Sequence, residues 1–120
     1  MKIPYKIDWL INNKPDCQIR ALANATSMSY DSALDLLSRL GWNIYNRGLF
    51  YDKTEQLPGL LRPVQLPAAK ISLARFIRSH PTGRFICHRP RHVFAVVDGF
   101  KIDFDGVNNR INAAWEVIIE

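Results

Sequence analysis

Thiol and acid–base chemistry needs few side-chain types, and this chain holds one set of them in two short stretches: Cys17 early, then His92 followed by Asp103 and Asp105. Cys17 comes directly after Asp16, a good N-cap, so it falls in the first turn of a helix predicted over Cys17 to Thr26. A helix start carries partial positive charge and free N–H groups, which stabilise a thiolate. That is where a nucleophilic thiol is useful. Taken alone, Cys17 reads more readily as one more small buried apolar residue, because free cysteine is among the most buried types.

The second stretch gives a sharper geometric expectation. Asp98-Gly99 between two β-rich runs predicts a two-residue hairpin loop, which pairs Val97 with Phe100. Carried outward, that register sets His92 opposite Asp105 and diagonal to Asp103, with both carboxylates on the face of His92. Val93, Ala95, Val97, Ile102 and Phe104 then fill the other face as a core layer. A histidine with a carboxylate on the adjacent strand is what a general base and its orienting partner require. An ordinary salt bridge at the strand edge fits the same register, and a three-residue bulged loop would remove the coincidence. Asp98 lies about six residues, at ~3.3 Å each, from His92, too far to orient the ring.

The elements that must position these groups follow from punctuation and period. Residues 1–13 read as an extended lead-in, stopped by Lys14-Pro15-Asp16. After the first helix, Ser29 caps a second, with Ala33, Leu36, Leu37 and Leu40 at helical spacing and Gly41 at its end. Residues 42–70 show no clear period, apart from a short helix over Thr54 to Leu61. Ser72 opens a third helix, Leu73 to Arg78, which His80-Pro81-Thr82-Gly83 ends. Strands follow at Arg84 to Arg89, His92 to Val97, Phe100 to Phe104 and near Trp115 to Ile119. Helices first and antiparallel strands afterwards predict an α+β fold, one domain over residues 1–120, with the helices covering one face of the sheet.

Composition bounds the rest. The 120 residues are 48% hydrophobic and 22% charged, which is globular and excludes a disordered chain. No apolar run is long enough to span a bilayer, and the start MKIPYKIDWLINNK carries charges where a signal peptide is apolar. A soluble, cytoplasmic protein with no membrane partner is the expectation, and two cysteines make no disulfide scaffold. The net charge of +5 concentrates around Arg84, His88, Arg89, Arg91 and Lys101. That patch could meet nucleic-acid phosphates or an acidic partner protein, but no nucleic-acid-binding motif accompanies it, so a solvated hairpin is the preferred reading. Cys87, His88, His92 and Cys17 fit no zinc-site spacing, and no metal or other cofactor is expected. Trp9, Trp42 and Trp115 read as core and edge residues.

Cysteine at a helix start, then histidine and an acid in a sheet, is the order of parts in papain-like thiol enzymes. The string Asp16-Cys17-Gln18-Ile19-Arg20-Ala21-Leu22-Ala23-Asn24-Ala25-Thr26, with Ser29-Tyr30, resembles the nucleophile segment of small papain-like cysteine-peptidase-type proteins of tailed phages and bacteria. The string His80-Pro81-Thr82-Gly83-Arg84-Phe85-Ile86, then His92 to Gly99 and Ile102-Asp103, resembles their histidine hairpin. The likeness covers most of residues 13–104 and is weak in the middle. It implies a papain-like fold, hydrolysis of a peptide or isopeptide bond in a peptide or protein substrate through a thioester, and no cofactor. It also implies Cys17 as nucleophile, His92 as base and Asp103 as the orienting acid, with Asp105 a second candidate by register. The chain departs from the pattern at the oxyanion glutamine, usually six residues before the cysteine, where it has Ile11. Asn12 or Asn13 are the remaining candidate donors. The same fold also supports a non-catalytic binding or inhibitory role.

Overall fold

The computed structural model describes residues 17–39, 60–89, 92–102 and 110–118. In chain order the elements are α1 (Cys17–Thr26), α2 (Tyr30–Arg39), β1 (Leu61–Val64), β2 (Ile71–Ser72), α3 (Leu73–Ser79), β3 (Arg84–Arg89), β4 (His92–Val97), β5 (Phe100–Ile102), β6 (Arg110–Ile111) and β7 (Ala113–Val117). They make an α+β fold on an antiparallel sheet of order β1-β7-β3-β4-β5, with β2 and β6 paired separately. Among the described residues no helix is long and apolar enough to cross a membrane.

Local chemistry sets the helix ends. The Ser32 N–H donates to Ser29 Oγ at 3.0 Å at the start of α2, and the Arg75 N–H donates to Ser72 Oγ at 3.1 Å at the start of α3. Past the C-terminus of α1, Ser27 takes a left-handed φ of 65°. There the Arg84 guanidinium donates to the Ala25 carbonyl at 3.2 Å and to Ser27 Oγ at 2.7 Å, setting a cation at the negative end of the helix dipole. Helix α3 stops at His80, whose ring stacks on Phe76 at 4.5 Å, one residue before Pro81.

The hairpin register is the expected one: Val97 pairs with Phe100 and Ala95 with Ile102. Asp98 at φ 50° and Gly99 at φ 83° are both left-handed, the requirement of a type I′ turn. Asp98 also ties this turn to the start of β3. Its N–H donates to the Gly83 carbonyl at 2.8 Å, and its Oδ1 accepts from the Gly83 N–H at 3.0 Å.

Alternation along β4 divides the core in two. Val93, Ala95 and Val97 join Ile86, Ile102 and Trp115 under α1 and α2. Phe94 and Val96 join Phe85, Cys87 and Ala114 under Phe76 and Leu73 of α3. The expectation that the helices cover one face is therefore corrected: α3 lies on the face opposite α1 and α2. A strand apolar at every position after His92 needs cover on both sides. Three small alanines, Ala21, Ala23 and Ala25, are buried in the first cluster and let α1 approach the sheet closely.

Other differences lie in the short strands. Leu61 begins β1, so the short helix expected over Thr54 to Leu61 does not include it, and residues 54–59 lie outside the described residues. Strand β1 carries Pro63, which suits an edge strand, and among the described residues it pairs with β7 alone. The last strand runs Ala113–Val117, two residues ahead of its expected place. The lead-in over residues 1–13, the Asp16 cap, Trp9, Gly41, Trp42 and Phe104 lie outside the described residues.

Phe76 has no exposed surface and anchors the α3 side of the sheet. Phe76→Ala is expected to lower the unfolding free energy by about 3 to 5 kcal/mol, read from the urea midpoint with an unchanged slope.

Candidate active site

The first turn of α1 meets the first residues of β4, and this junction holds the chemistry. Burial raises the affinity of the Cys17 sulfur for its proton, but it is outweighed by a hydrogen bond with the His92 side chain, a hydrogen bond with the Val93 backbone, and the charges of His92 and Arg20. The net result holds the thiol below the ordinary cysteine range. A hydrogen bond that lowers an acid's pKa is one the ionised form accepts, so the His92 ring and the Val93 N–H both donate to sulfur. Two consecutive residues of one strand thus supply both donors.

Strict alternation assigns His92 to the Phe94 side of the sheet, while Cys17 packs against the cluster on the Val93 side. They meet because His92 is the first residue of β4, where a side chain can reach around the end of the sheet. Its ring lies 5.9 Å from that of Phe94, tilted by 31°. Phe94 in turn carries Lys101 Nζ 4.8 Å from its centroid. Ring packing therefore restricts the orientation of the imidazole that faces the thiol.

The second cysteine sits in a different environment. Cys87 is fully buried on β3, on the α3 side of the sheet, and burial alone pushes its thiol far above the usual range. Among the described residues no group of three or more His, Cys, Asp or Glu could hold a metal ion. His88 instead hydrogen-bonds through Nδ1 to Asn112 Oδ1 at 2.6 Å. An amide oxygen only accepts, so Nδ1 carries the proton there. The basic patch is also partly absorbed by the fold: Arg84 caps α1 and Lys101 covers Phe94, while Arg91 lies outside the described residues.

Cys17 and His92 are thus brought together. The candidate acids Asp103 and Asp105 and the candidate oxyanion donors Asn12 and Asn13 lie outside the described residues. Two participants had no expected role: Val93, whose backbone serves the thiol, and Arg20, a buried cation one turn along α1. The spacing of Arg20 from Cys17, three residues on a helix, was the available signal. Comparison with family models, curated proteins and solved structures finds no match for this chain, so the site has to be read from its own geometry.

A depressed acid loses its proton earlier as pH rises. In a Cys87→Ser protein, thiolate ultraviolet absorbance from Cys17 is expected to appear at lower pH than that of free cysteine. In the Cys17→Ser protein, Cys87 is expected to stay protonated and unlabelled until denaturant unfolds the chain.

Proposed function

We propose that this protein is a papain-like thiol hydrolase that cleaves a peptide or isopeptide bond, with Cys17 as nucleophile and His92 as the proton shuttle. The observation that carries the reading is the hydrogen bond between the Cys17 thiol and the His92 ring at a helix N-terminus. The sulfur of the thiolate attacks the substrate carbonyl carbon, and the C=O electron pair moves onto oxygen. His92, holding the thiol proton, gives it to the departing amine as the C–N bond breaks, which leaves a thioester on Cys17. His92 then takes a proton from water, the hydroxide attacks the thioester, and the acid product leaves while the thiol is restored. Backbone N–H groups at the helix start bear the oxyanion, with Asn12 or Asn13 as further candidate donors. Asp103 is the proposed orienting acid for His92, with Asp105 the alternative. A cytoplasmic location and a peptide or protein substrate belong to the same proposal.

Thiol reactivity tests it directly. At about pH 6, iodoacetamide is expected to alkylate Cys17 at least tenfold faster than Cys87, and His92→Ala is expected to slow the Cys17 reaction several-fold while Cys87 stays unreactive. Cys17→Ala should abolish any cleavage detected by mass spectrometry in a peptide library. Equal, slow labelling of both thiols would sink the enzyme reading and leave a binding scaffold.

A further inference from the structure

Helix α1 is more polar inside than its packing requires. Ile19, Leu22 and Ala23 join the apolar cluster on the sheet. Yet Gln18, Arg20 and Asn24 of the same helix are buried too, with Arg20 only 5% and Asn24 only 8% exposed. Cys17, Arg20 and Asn24 fall at i, i+3 and i+7, so they line one side of the helix, with Cys17 at its start also packed against the apolar cluster. Among the described residues Arg20 is the sole buried charged side chain, and Asn24 Oδ1, one turn beyond it, has no hydrogen-bond partner. Burying a guanidinium beside the apolar residues Ile19, Leu22 and three alanines of the same helix is costly, and an apolar residue of similar volume would be tolerated there.

We propose that Arg20 is a positioning residue for the nucleophile: its buried guanidinium, one turn from Cys17 on the same side of α1, holds the sulfur as a thiolate independently of His92. The proposal rests on the thiol-hydrolase reading and adds a second, fixed source of positive charge to it. The two cations differ in kind. An imidazole gives up its proton during turnover, whereas a guanidinium stays charged throughout. Arg20 therefore keeps a positive charge near the sulfur throughout turnover, including the acyl-enzyme stage, where His92 stays neutral until it takes the proton from water. Among the described residues, the other charged and titratable groups on the elements packed against α1 are His92 on β4, Arg84, Cys87, His88 and Arg89 on β3, and Tyr30, Asp31, Asp35 and Arg39 on α2. Arg84 binds the opposite end of α1, Cys87 faces α3, His88 bonds Asn112, and Asp35 pairs with Arg39.

The test follows Cys17 alkylation by iodoacetamide against pH in the Cys87→Ser protein. Arg20→Gln is expected to raise the midpoint by about one pH unit, slowing the reaction about tenfold on the acid side, while Arg20→Lys keeps most of the original profile. An unchanged midpoint in folded Arg20→Gln protein, or equal shifts for Gln and Lys, overturns the proposal. Should Arg20→Gln fail to fold by circular dichroism, the His92→Ala, Cys87→Ser protein decides. Its rate with anionic iodoacetate relative to neutral iodoacetamide should exceed that of free cysteine; a ratio at or below free cysteine overturns the proposal. The hydrolase reading fails separately: it falls if Cys17 labels no faster than Cys87, and stands if the advantage persists and shrinks without His92 while Arg20 proves irrelevant.

Discussion

Strand β4 imposes the central constraint, because after His92 every one of its residues is apolar and buried. An antiparallel strand of that kind cannot leave one face to water. It demands α1 and α2 on one side and α3 on the other, and it draws β3 and β5 alongside to pair its backbone. The same constraint forces the polar exception to the strand's first position. His92 is only half-buried there, its ring against Phe94, at the level where the N-terminus of α1 arrives. The junction of thiol and imidazole is thus a by-product of how a doubly buried strand must end.

The parts of the fold legible in the sequence were those written in local chemistry. The serines at 29 and 72 mark helix starts, and Asp98-Gly99 marks a turn whose left-handed backbone suits few other pairs. From that turn the register of β4 against β5 follows by counting. Strands β1, β2 and β6 were opaque for the opposite reason. Two to four residues carry no period, and Pro63 in β1 argues against a strand until its place at the sheet edge is known.

The candidate site divides in the same way. Cys17 and His92 could be singled out because a helix start and a strand start are both sequence features. The burial of Arg20 could not, since an arginine in a helix reads as solvated until neighbouring elements enclose it. Nor could the fate of the basic patch. Arg84 turns out to serve the end of α1, a partnership across 59 positions of chain that no local pattern announces. Charge counted along a sequence overstates the charge a fold presents.

That same arginine makes α1 a beam clamped at both ends. At its N-terminus the helix is held by the first residues of β4, and at its C-terminus by the first residue of β3. Arg84 and His92 stand at opposite ends of one antiparallel ladder, Arg89 pairing with His92 and Arg84 with Val97. The six-residue ladder spans about 17 Å at ~3.3 Å per residue, and the ten-residue helix about 14 Å at ~1.5 Å per residue. The β3–β4 ladder and α1 are therefore close in length. Adding or removing one residue in either would slide the sulfur off the imidazole while leaving both elements intact, so evolution can vary the loops around this core far more freely than the length of these two parts.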